Sequence, residues 1–177
     1  KLRYEFALRA AAAANDDQAL AELRSIAPYP DADGTIRLEK LNLQRKWSVR
    51  YGGLTYGRAS FGYYSNASRL SPDYSKADVA AVDKGSALSL PGLWPELMKT
   101  DFTSVTELAC PVVMFNGRHD HTTSAVLAAR WFERVRAPSK KLVWFENSAH
   151  MMHMEEPAKA LVPLVKDVLP LASKVRS

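Results

Sequence analysis

The sequence predicts an α/β chain in which a helical N-terminal stretch precedes a parallel strand–helix–strand unit. Two short apolar runs, Pro111 to Phe115 and Leu142 to Phe145, are rich in β-branched and aromatic residues and are bounded by turn formers. Between them, Ser124 to Val135 places Val126, Leu127, Trp131 and Val135 at helical spacing, which gives the βαβ unit of a parallel sheet. Before Thr100 the pattern is a succession of helices with almost no strand character.

Taken in order, Lys1 to Ala14 reads as a helix with Leu2, Phe6 and Ala10 or Ala13 along one side. Asn15-Asp16-Asp17 interrupts it and caps a second helix carrying Ala19, Leu20, Leu23 and Ile26. Pro28-Tyr29-Pro30 forces an extended turn. A third helix spans about Ile36 to Val49, with Leu38, Leu41 and Trp47 as its buried positions. Tyr51 to Gly57 is punctuated by glycines; it lacks the spacing of a phosphate-binding loop and reads as a hinge or loop needing positive φ. Tyr56, Phe61, Tyr63 and Tyr64 form an aromatic cluster that suits core packing or the lining of a pocket. Ser75 and Asp78 have the form of a capping box and open a helix to about Leu88; Pro91 to Lys99 offers a separate short one. A last helix runs from about Glu155 to Leu169, with acids in its first turn and a bend at Pro163.

Composition bounds the function. A chain of 177 residues with 47% hydrophobic and 24% charged residues is an ordinary globular chain. No run reaches the roughly 18 apolar residues of a membrane span. The net charge of +5 is scattered rather than striped, which argues against a nucleic-acid surface. The single cysteine excludes an internal disulfide; beside Pro111 it reads as a buried, inert thiol. With no secretion signal visible, the expected location is cytoplasmic.

The chemistry gathers at the two strand ends. One strand runs out into Asn116-Gly117-Arg118-His119-Asp120, the other into Glu146-Asn147-Ser148-Ala149-His150. Both loops leave carboxyl ends, where open parallel sheets place ligands. Asp120 alone is an unremarkable turn residue; delivered beside His150 it makes two thirds of a catalytic triad. Arg118 is either a surface residue or a support for the Asp120 loop. His119, His121, His150 and His153 also invite a metal reading, which competes with the triad for His150.

The segments CPVVMFNGRHDHTT and KKLVWFENSAHMMHMEEP resemble the C-terminal end of an α/β-hydrolase of the prolyl aminopeptidase (proline iminopeptidase) branch. YEFALRAAAANDDQALAELRSIAPYP resembles the first two helices of that family's cap. The resemblance implies a partial α/β-hydrolase fold, with a helical cap over residues 1–103 and the last strands and helices of the core over 104–177. It implies that Asp120 and His150 are the acid and base of the triad, 30 residues apart (150 − 120), in the family's order of nucleophile, acid, base. It implies no metal and no cofactor, a small-molecule or short-peptide substrate, and no nucleic-acid or membrane partner. Tyr56, Tyr63 and Tyr64 become candidate substrate contacts, and Glu39, Asp73 and Glu96 candidate acids for a substrate amine. One departure stands out: the G-x-S-x-G elbow is nowhere in the sequence, so the nucleophile is expected in an N-terminal half, on the same polypeptide or a second chain. The start at Lys1, where the family inserts its cap, fits that expectation. Esterase, lactonase and epoxide hydrolase activity stay open, as does a non-catalytic binding module.

Overall fold

The computed structural model describes residues 1–174, apart from the side chains of Tyr63, Ser68, Ser173 and Lys174. Helices α1 (Leu2–Ala13), α2 (Asp17–Ser25) and α3 (Leu38–Arg50) pack around Tyr4, Ala7, Ala11, Ala19, Leu23, Ile26, Tyr29 and Trp47. The buried face of α1 is Tyr4, Ala7 and Ala11, not the expected Leu2–Phe6–Ala10 side. The correction has a steric cause. Ala7 and Ala11 are fully buried and small enough for α2 and α3 to close on them, and the Tyr4 hydroxyl donates to the Leu23 carbonyl at 2.9 Å. Leu2 is left exposed, and Phe6 is half-buried with its ring stacked on His121. Leu41 and Trp47 are buried as expected, while Leu38 is only half-buried. Asp16 caps α2 by accepting the Ala19 N–H at 2.9 Å and also takes the Tyr51 hydroxyl at 2.9 Å, which ties the end of α3 to the start of α2.

Tyr51 to Gly57 is a loop with positive φ at Gly52 (81°) and Gly57 (67°). A short helix α4 (Gly62–Ser65) and a 3₁₀ turn (Ala67–Leu70) lead to α5 (Lys76–Lys99). The Ser75–Asp78 capping box is present in both directions. The two helices expected here are one helix of 24 residues that runs through Pro91 and Pro95. Proline removes an N–H but its φ is helical, and α5 buries none of its residues, so water can take the freed carbonyls of Ala87 and Pro91.

Strands β1 (Val112–Gly117) and β2 (Lys140–Phe145) pair in parallel, from Val112 opposite Lys140 to Gly117 opposite Phe145. They are joined by α6 (Ala125–Arg134), capped at its start by the Ser124 side chain. The Lys140 ammonium closes the other end of α6 on the carbonyls of Phe132, Glu133 and Val135, all within 2.9 Å. Cys110 is exposed rather than buried, because it stands before β1 where no described element covers the amino end of the strand. The expected last helix is segmented into α7 (Met152–Glu155), α8 (Pro157–Pro163), a π-helical turn (Leu164–Val168) and α9 (Leu169–Lys174). Pro170 has no N–H for the Lys166 carbonyl, and the ladder ahead of it shifts to the wider register. Among the described residues no helix is long and apolar enough to cross a membrane.

Candidate active site

Because Gly117 pairs with Phe145, the loops that follow the two strands start side by side. They are then sewn together. Arg118 N–H donates to the Phe145 carbonyl at 2.9 Å and His119 N–H to the Ser148 carbonyl at 3.0 Å. The second loop crosses directly over Gly117: a Cβ there would lie 1.8 Å from the Ala149 carbonyl oxygen, so space alone demands glycine. The Arg118 guanidinium grips both carboxylate oxygens of Glu146 at 2.8 Å and lies 3.7 Å from the centre of the Trp144 ring, bridging the two loops from outside.

This crossing brings Asp120 and His150 together. The Nδ1–H of His150 donates to Asp120 Oδ2 at 2.9 Å. Asp120 is 4% exposed, and its remaining lone pairs are occupied. Oδ1 accepts the N–H groups of Thr122 and Thr123 at 2.8 and 2.9 Å, and Oδ2 also accepts the Thr123 hydroxyl at 2.8 Å. Burial by itself would raise the Asp120 carboxyl; the bonds from His150 and Thr123 outweigh it and hold the group below the ordinary carboxylate range. The bond to Asp120 likewise raises His150 above its ordinary value, against the opposing effect of burial. With Nδ1 committed to Asp120, Nε2 is the nitrogen free to take a proton from a hydroxyl or a water.

The backbone around His150 is held by groups that the sequence reading left aside. Glu156 Oε2 accepts the Asn147 N–H at 3.1 Å and the Ser148 hydroxyl at 2.6 Å. Glu155 Oε2 accepts the Ala149 N–H at 2.9 Å. These acids were expected to serve the dipole of the last helix; instead they reach back to the preceding loop. The glycine loop supplies more. The Gly53 carbonyl accepts the His121 N–H at 3.0 Å and the Thr122 hydroxyl at 3.3 Å, and the Leu54 carbonyl accepts the His150 N–H at 3.1 Å. A Cβ on Gly53 would meet Ser48 Oγ at 2.5 Å, which explains glycine at that close approach. The only sequence signals for these supports were the Thr-Thr pair after Asp120, the Glu-Glu pair after His150 and the glycine cluster; none names its partner.

Of the other candidates, Tyr56 is 43% exposed and stacks on His119 with centroids 3.9 Å apart. Tyr64 is buried, its ring tilted against Phe61 at 6.2 Å. The side chain of Tyr63 lies outside those described. Glu39, Asp73 and Glu96 are exposed, and Glu96 pairs with Lys99 at 2.7 Å. The histidines of the metal reading are dispersed. His119 Nε2 is 3.1 Å from the Glu146 carbonyl, His121 stacks on Phe6 at 3.6 Å, and His153 is exposed on α7. Among the described residues no three His, Cys, Asp or Glu side chains gather as a metal site.

Comparison with known proteins gives a relative. The probable aminopeptidase YbaC of Bacillus subtilis (strain 168) is 33% identical over 87 residues, which are 49% of this chain and 27% of that protein. The match therefore spans little more than a quarter of the relative's length. No protein-family model matches the chain, and no solved structure matches it.

Proposed function

We propose that the chain is the C-terminal part of a peptidase-like serine hydrolase of the α/β-hydrolase fold, acting on an amide or ester of the kind cleaved by prolyl aminopeptidases. The observation that carries this reading is the 2.9 Å bond between His150 and Asp120 at the ends of neighbouring parallel strands. The likeness to a probable aminopeptidase supports it. In this reading residues 1–103 form the cap, and 104–177 complete the core.

His150 is the general base. Its Nε2 takes the proton of a serine hydroxyl contributed by the N-terminal half, and the oxygen attacks the substrate carbonyl. The same imidazolium then protonates the leaving amine or alcohol, and water releases the acyl group by the reverse sequence. Asp120 holds the Nδ1–H tautomer and stabilises the cation that forms twice per cycle. The oxyanion donors belong to the same half as the nucleophile.

The test is to express the chain alone and together with that N-terminal half, and to assay both with an aryl ester and an aminoacyl-arylamide. Turnover is expected only in the combined form and is abolished by His150→Ala. Robust turnover by the 177 residues alone, from a verified monomer, overturns the proposal.

A further inference from the structure

Glu155 lies outside the Asp120–His150 pair, yet its two carboxylate oxygens take backbone N–H groups from two distant parts of the chain. Oε2 accepts Ala149, the residue before His150, at 2.9 Å. Oε1 accepts Tyr56, in the glycine loop, at 2.5 Å. Two residues before Tyr56, the Leu54 carbonyl accepts the His150 N–H at 3.1 Å. The His150 loop and the glycine loop are thus joined twice, once directly and once through a carboxylate.

We infer that Glu155 is a positioning residue for His150, a two-oxygen staple that fixes the loop carrying the imidazole to the glycine loop of the helical region. The chemistry explains why a glutamate stands there. Two N–H donors from separate loops meet at this side chain, and a carboxylate presents an acceptor oxygen to each. A glutamine has one acceptor oxygen, and its amide nitrogen would face a donor. Aspartate is one methylene too short to reach both. At Ala149, fully buried, water cannot stand in for a lost acceptor. Each adjustment of this bridge is passed to His150 through a single peptide unit, so it acts on the distance to Asp120 rather than on a remote surface. The inference rests on the reading of His150 as a base, but its test does not.

Amide hydrogen exchange and the titration of the His150 ring, both followed by NMR, are compared in the full chain and in Glu155→Gln, Glu155→Ala and Glu155→Asp. Loss of a bond to a charged acceptor predicts exchange at Ala149 and His150 faster by about tenfold or more in Glu155→Ala. Glu155→Asp keeps the charge but not the reach, so fast exchange persists there. Among the described residues the charges of Asp120 and Glu155 raise the His150 midpoint and that of Arg45 lowers it. Loss of the Glu155 charge and loosening of the bond to Asp120 both move the midpoint down, so Glu155→Asp, which keeps the charge, isolates the positioning effect: a midpoint below wild type there reports a weakened His150–Asp120 contact. Wild-type exchange at both Ala149 and Tyr56 in Glu155→Gln, which keeps the side-chain shape, overturns the inference even if the alanine variant fails to fold. None of these readings needs turnover. If His150→Ala leaves the activity of the combined form intact, the hydrolase reading fails and the staple is still judged on exchange alone.

Discussion

Helix α5 and the loops around His150 are opposites in how they hold their shape. α5 is 24 residues of regular helix with a complete capping box, yet it buries none of them, and Leu88, Leu93 and Leu97 stay exposed. The Trp94 ring N–H donates to the Ile36 carbonyl and ties it to the helical region. The loops after β1 and β2 have little regular structure, yet Asp120, Ser148 and Ala149 are buried and bonded on every side. Regularity in α5 comes from its own backbone ladder and its capping box, which carry the helix through Pro91 and Pro95. Order in the loops comes from partners far along the chain, which is the way a site of fixed geometry is made from irregular backbone.

On the proposed reading, the largest effect should come from Asp120, the carboxylate bonded to His150. Asp120→Asn keeps the shape but presents an amide to Nδ1 and favours the wrong tautomer. Turnover of the combined form should fall by about 10⁴-fold, measured as kcat. A loss of less than tenfold would leave Asp120 with a purely structural role.

The pH dependence tests the same pair with signs that can be stated in advance. His150 is raised in the folded chain, so its contribution to stability is present below its unfolded value, near 6.5, and fades as pH rises through the higher folded value. Asp120 is depressed, so its contribution is present above its unfolded value and fades as pH falls through the lower folded one. If His150 is the base proposed, it must be neutral to act, so kcat/KM of the combined form should climb with a midpoint above 6.5, and Asp120→Asn should lower that midpoint.

Two glycines distinguish the two regions through stability alone. Gly117→Ala drives a methyl into the Ala149 carbonyl and should cost about 1–3 kcal/mol or more in chemical denaturation, with His150 displaced. Gly85→Ala in α5 meets nothing within 4 Å and should instead stabilise by up to about 1 kcal/mol. If both substitutions shift stability in the same direction, the contrast between the two regions is wrong. The smallest effect is expected from Arg118→Ala, whose pair with Glu146 is exposed; losing it and the contact with the Trp144 ring should cost no more than about 1 kcal/mol in chemical denaturation.

Much of this was legible in the sequence because it is local. The βαβ unit follows from two apolar runs and one helical period, the Ser75 capping box from four residues, and the glycine loop from its punctuation. The positions of Asp120 and His150 were legible as well, since each is set by its distance from the end of its own strand. What could not be read is set by partners distant in the chain. The inward face of α1 depends on which side α2 and α3 approach, so the sequence pointed to Leu2 and Phe6 where packing chose Tyr4, Ala7 and Ala11. The exposure of Cys110 depends on what fails to cover it. Glu155 reads as a first-turn acid until the Tyr56 N–H, 99 residues earlier, arrives at its carboxylate. Periodicity and capping act within a few residues and are written in order along the chain. A hydrogen bond between distant loops is set by where the backbone returns, and only the tertiary structure decides that.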